Sequence, residues 1–210
     1  MHARPVLDRD FVASFKRRRI ADAIAELSVE KGYRATTVGD IVARAKVGRS
    51  TVYDQFAGKE EILLDVLDRA IPQLLGRVEA ACRAAGKETE PRLEAGLRAL
   101  LAWVAEEPAA AWVCFVESAC ATPGSLQRYH AAITRFTALL RANVPSDARR
   151  PATTEETLVG GVASIFSRQI ERGEVARAAD LLPGLLAFLR APYLSAGDGA
   201  SPAATPPPSA

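Results

Sequence analysis

The side chains best equipped for chemistry in this 210-residue chain lie between positions 37 and 59. Arg49, Ser50, Thr51 and Tyr53 stand almost consecutively, with Thr37 ahead of them and Lys59 behind. Together they offer hydrogen-bond donors and positive charge, which suits recognition of phosphates and base edges rather than bond making. An arginine pairs in bidentate fashion with guanine O6 and N7. Hydroxyls such as those of Thr51 and Tyr53 suit phosphate oxygens, which position a protein without specifying sequence. Lys59 opens a helix, whose free N–H groups and dipole also favour a phosphate. The run Arg17-Arg18-Arg19 reads equally well as a phosphate-contacting patch or as a solvated face. Charge is uneven along the chain. Residues 1–60 hold 12 Lys and Arg against 8 Asp and Glu, a net +4, while the remaining 150 hold 15 against 17, a net −2. The basic character therefore sits at the end that carries the cluster.

The elements that must position these side chains are short helices. Apolar residues Ile20, Ile24 and Leu27 place one face on a first helix over about 12–31, and Gly32 supplies its stop. Thr37 and Asp40 have the spacing of a capping box, opening a helix to about Ala45. A turn covers 46–48 and a second short helix covers 49–55. Two such helices with a three-residue link have helix-turn-helix proportions. Ile41, Val42, Ala45, Val47, Val52 and Phe56 supply a small apolar core, leaving the polar and basic set outside. Side chains at the start of a second helix are the ones that meet base edges in the major groove.

This segment resembles the DNA-binding domain of the TetR family of regulators. The matching residues are Thr37, Ile41, Ala45, Val47, Thr51, Tyr53, Phe56, Lys59 and Glu60, followed by Leu63 and Leu64, without insertion. The close likeness covers about 20–67. It implies an all-α fold of about nine helices, with a three-helix DNA-binding domain over 12–57 and a helical effector-binding and dimerisation domain over 58–194. It implies a homodimeric transcriptional regulator, a repressor released from a palindromic operator by a small hydrophobic ligand. Thr37, Arg49, Ser50, Thr51, Tyr53 and Lys59 are the DNA contacts so implied. The alternative is a ligand-binding or protein-interaction module that does not bind DNA. Three positions depart from the family pattern. Lys46 replaces a turn glycine and must take a positive φ. Gly48 replaces a serine cap, and Ser50 replaces a glycine inside the second helix.

The rest of the chain also reads as helix. One helix runs over about 59–84, where Pro72 should kink or break it. Pro91, Pro108 and Pro123 mark first turns, the last capped by Thr122. Thr153 to Glu156 reads as a capping box for a helix to about Arg172, and a final helix covers about 180–190. Residues 195–210, rich in Pro, Ala and Ser, form a tail too poor in apolar groups to order. The aromatic stretch from Trp103 to Phe136 nominates Trp103, Trp112, Phe115 and Phe136 as a ligand lining, with plain core packing as the competing reading. Leu158, Val162 and Ile165, with Leu182, Leu185 and Leu189, form two apolar stripes suited to pairing chains in a four-helix bundle.

Several classes are disfavoured. The sequence has no Walker loop, no G-x-S-x-G, no H-E-x-x-H and only two histidines, so neither an enzyme nor a metal or cofactor site is expected. Cys82, Cys114 and Cys120 contain no C-x-x-C pair and read as buried small hydrophobes. No apolar run approaches the roughly 18 residues of a spanning helix, and 1–10 lacks the apolar core of a secretory signal, so a cytoplasmic protein is expected.

Overall fold

In the computed structural model, α1 (Arg9–Ala35) buries Ile20, Ala21, Ile24 and Leu27 along one face and is interrupted at Gly32. Gly32 adopts φ 80° and ψ 153°, a conformation that only glycine takes easily, and the last turn leaves in a new direction. The structure describes residues 9–174 and 179–194, so the tail at 195–210 lies outside the described residues. Then follow α2 (Val38–Ala45) and α3 (Arg49–Gln55). Ile41, Ala45, Val52 and Phe56 turn inward against α1, and each large one contributes on the order of 1.5–3 kcal/mol by leaving water.

The expected capping box is present. Asp40 N–H donates to Thr37 Oγ1, and Thr37 N–H and its hydroxyl both donate to Asp40 Oδ2. Lys31, 2.7 Å from the same carboxylate, and the Thr37 donors hold Asp40 well below the usual carboxylate range. Lys46 closes α2 with φ 51° and ψ 48°, the left-handed conformation its place in the turn demanded. Its strain is met by Arg19, which donates to the carbonyls of Ala45 and Lys46.

The body begins with α4 (Lys59–Ala84), which passes through Pro72 without a break. Leu67, Ala70, Ile71 and Leu74 are buried on both sides of the proline, so packing holds the helix where one backbone bond is lost. Next come α5 (Thr89–Glu106), α6 (Pro108–Trp112) and a π-helical turn over Val113–Glu117. These are followed by α7 (Pro123–Arg141), α8 (Thr154–Glu171), α9 (Leu182–Arg190) and a 3₁₀ turn at Ala191–Tyr193. Among the described residues the regular structure is all helical, with nine α-helices, and no single helix is long and apolar enough to cross a membrane.

Of the two other expected caps, one needs correction. Thr122 does cap α7, in a reciprocal box with Ser125. Thr153, however, takes helical angles and makes no side-chain cap, and the Thr154 hydroxyl bonds back to Pro151 O instead. One hydrophobic cluster runs from Ile20 to Leu189, so the N-terminal helices and the body share a core.

Candidate nucleic-acid interface and apolar cavity

Most of the basic side chains at the N-terminal end are already engaged. Arg17 donates to Asp65 Oδ1 at 2.7 Å and to Gln55 O at 2.8 Å, with its guanidinium 4.1 Å above the Phe56 ring. It joins α1, α3 and α4. Arg44 bridges Glu26 and Glu30, Arg18 lies 3.8 Å from Asp22, and Arg19 closes α2. Among the described residues Lys46 and Arg49 have no ion-pair partner, and both are exposed around the start of α3. Ser50 and Tyr53 are exposed on the same helix, Thr51 is half-buried, and the guanidinium of Arg49 lies 5.9 Å from the Tyr53 ring. Val52 and Phe56 face the core and fix the roll of α3, so an arginine, a serine and a tyrosine point outward together. Gly48 caps this helix with backbone alone.

Two of the six nominated contact residues are placed differently from expectation. The Lys59 ammonium donates to Tyr33 O at 2.9 Å, Thr36 O at 2.9 Å and Arg34 O at 3.4 Å, spending its three donors on the end of α1. Burial there pushes its pKa down. Thr37 donates its only hydroxyl proton to Asp40. These residues build the frame. Lys59→Met is therefore expected to lower the melting temperature and leave the salt dependence of any DNA affinity unchanged. A loss of about one from the log–log salt slope would instead mark Lys59 as a phosphate contact.

A second feature lies in the body. A cavity of about 140 Å³ is lined by α4, α5, the π turn, α7, α8 and α9. Phe115 and Phe136 line it, and Phe115 stacks on the buried Phe166 with ring centroids 5.4 Å apart. Trp103 and Trp112 do not line it. Trp103 is fully buried in the core, and Trp112 directs its Nε1–H to Glu117 Oε1 at 3.3 Å. Cys82 and Cys114 are both in the wall, and burial pushes the Cys114 thiol up to about 12, leaving it protonated and unreactive. Cys120, by contrast, is exposed rather than buried.

The apolar stripes on α8 and α9 also face inward for the most part. Leu158, Val162, Leu185 and Leu189 are buried within their own chain, and Val162 and Leu189 reach the cavity wall. Ile165 and Leu182 remain half-buried. The outward face instead carries Ser164 and Phe188, the latter 40% exposed and packed so closely on Gly161 that a Cβ there would lie 3.0 Å from it.

Sequence reasoning missed Glu117 altogether. It is buried on the π turn, and its Oε1 accepts the Tyr33 backbone N–H at 2.8 Å, from a residue 84 positions earlier. Tyr33 directly follows the break in α1. The same turn presents Cys114 and Phe115 to the cavity. One five-residue segment thus touches both the cavity and the seat of the helix-turn-helix.

Fold and site together define a helix-turn-helix protein whose helical body holds an apolar cavity. Residues 20–66 match the model for bacterial regulatory proteins of the tetR family, so the helix-turn-helix segment is similar to the DNA-binding domain of that family. The HTH-type transcriptional activator FasR of Mycolicibacterium smegmatis is 30% identical over 89 residues, covering 42% of this chain and 40% of that protein. The HTH-type transcriptional repressor KstR2 of Rhodococcus jostii is 32% identical over 91 residues, covering 43% and 44%. The matched region thus spans less than half the length of these curated relatives. Solved structures extend the likeness in fold. The fatty acid degradation regulator FadR of Bacillus halodurans superposes with a TM-score of 0.70 at 16% identity, over 83% of this chain and 94% of that one. FadR of Bacillus subtilis, solved in complex with stearoyl-CoA, gives 0.66 at 18% identity, over 81% and 98%.

Proposed function

We propose that the chain is a DNA-binding transcriptional regulator, a repressor released from its operator when an apolar ligand enters the body cavity. The observation that carries this reading is the exposed set Arg49, Ser50 and Tyr53 on a helix whose roll is fixed by buried Val52 and Phe56. Arg49 reads guanine, while Tyr53 and Thr51 meet phosphates. Lys46 adds charge beside them.

The working form is a homodimer. Two recognition helices then lie about 34–36 Å apart, one DNA turn, on a palindromic site. The outward face of α8 and α9, with Phe188 over Gly161 and Ser164 beside it, supports self-pairing, since small residues and one exposed aromatic ring allow close approach around a twofold axis.

The ligand acts through the π turn. A molecule pressing on Phe115 and Cys114 shifts Glu117, which bonds Tyr33 where α1 changes direction just before α2. An apolar wall without any lysine, arginine or histidine suits an acyl chain, and the stearoyl-CoA complex of the B. subtilis neighbour names a concrete candidate. A ligand shifts this equilibrium only by its difference in affinity for the two states.

Fluorescence anisotropy of labelled DNA from the gene's own upstream region, titrated with stearoyl-CoA, tests the reading. Saturable binding by two chains per site, reversed by the ligand, is expected. Binding that no acyl-CoA alters removes the acyl switch. No preference for any genomic fragment over random DNA contradicts the regulator and favours the interaction module.

A further inference from the structure

The cavity wall is apolar almost throughout, and its exception is informative. Along α7 and the turn after it, Tyr129, Ile133, Phe136, Leu140 and Asn143 fall on one side and line the space. From Tyr129 to Asn143 this face rises about 20 Å at helical pitch, so the lining is long in one direction. Tyr129 is half-buried at one end, and Asn143 is 6% exposed at the other.

The Asn143 amide is only half satisfied. Nδ2 donates to Leu139 O at 2.6 Å, whereas Oδ1 is buried with no hydrogen-bond partner. Turning the amide over would set Oδ1 against the Leu139 carbonyl, so the free atom is an acceptor. A buried acceptor left unpaired carries the full desolvation penalty of the group. The other polar groups in the wall do not relieve it. The Cys82 thiol donates to Arg92 O, Cys114 sits on the π turn, and Tyr129 is far along α7.

We propose that Asn143 is the polar recognition point of this cavity, and that the part of the ligand lodged in it is uncharged, elongated and apolar and bears a hydrogen-bond donor, a hydroxyl or an amide N–H, where it meets Oδ1. The proposal rests on reading the cavity as the ligand site. A plain hydrocarbon end leaves Oδ1 unpaired. An ionised carboxylate at that end faces an acceptor with no cation in the wall, and desolvating it there is costly. A donor on the ligand satisfies the one group that the fold leaves open.

The test uses n-decanol and its isomer nonyl methyl ether, which match in length and volume and differ in the donor. Each is titrated against an apolar fluorescent dye bound to the full chain, wild type and Asn143→Leu, with Asn143→Ala as the less bulky variant. Wild type is expected to prefer the alcohol by about five- to tenfold, as one hydrogen bond to a buried acceptor provides. Both variants are expected to bind the two probes equally. Equal binding by wild type, or a preference that survives in both variants, overturns the role of Asn143 while leaving the cavity as a ligand site. If neither probe displaces the dye, the ligand-site reading fails and the proposal falls with it.

Discussion

Glu117→Leu is expected to abolish the effect of ligand on DNA affinity while leaving DNA binding itself measurable. The wild-type carboxylate accepts from Tyr33 N–H at 2.8 Å and from Trp112 Nε1 at 3.3 Å, and it is buried on the turn that carries Phe115 into the cavity. Leucine keeps much of the volume and leaves the Tyr33 amide without an acceptor. An orphaned buried donor costs about 1–3 kcal/mol, and at this chain length each kcal/mol lowers the melting temperature by about 2–4 °C. Coupling between two sites is commonly worth about 5–150-fold in affinity. In the leucine variant that ratio is expected to approach one. Glu117→Gln retains a carbonyl oxygen for Tyr33 and is expected to keep most of the response. An undiminished ligand effect in Glu117→Leu, read by anisotropy with and without ligand, would show that the signal takes another route.

The second large effect is expected from Phe56→Ala. Phe56 is 2% exposed, its N–H bonds Val52 O at 2.9 Å, and Arg17 caps its ring at 4.1 Å. Removing a buried phenyl ring costs about 3–5 kcal/mol. The ring also fixes the end of α3 and orients the guanidinium that joins α1 to Asp65. The loss therefore concentrates in α2 and α3, small helices with little other burial. Hydrogen exchange is expected to speed over residues 37–56 and stay slow in α5 and α8, with sequence-specific DNA binding lost at protein concentrations that saturate wild type. Wild-type exchange over α2 and α3 would mean that these helices are held by other contacts.

The sequence marks the frame of the helix-turn-helix well because its signals are local. The Thr37–Asp40 box, the Gly32 break and the left-handed Lys46 each follow from a few neighbouring residues. Lys59 shows where local reading stops. A lysine at that position looks the same whether it meets a phosphate or three carbonyls, and only the return of α1 beside α4 decides. The same holds for Arg17 and Arg19, whose partners lie on other helices. On α8 and α9, helical period identified the apolar stripes correctly but could not say what covers them. In the fold, the chain's own α5 and cavity wall do so. Glu117 gave no sequence signal, because its meaning depends on an amide 84 residues away. Asn143, at the end of an unremarkable helix, was equally silent.

The central claim is that α3 reads DNA through the side chains its buried residues turn outward. It is tested most directly by anisotropy of labelled upstream DNA across a salt series, for wild type, Arg49→Ala and Tyr53→Ala. Wild type is expected to bind tightly, with affinity falling steeply as salt rises. Arg49→Ala is expected to lose about ten- to a hundredfold on the specific site and little on random DNA, as the loss of a base contact requires. Tyr53→Ala is expected to weaken both sequences together, as the loss of a phosphate contact requires. Equal affinity of all three proteins for the specific site would contradict the account, because it would place the DNA-contacting surface away from α3.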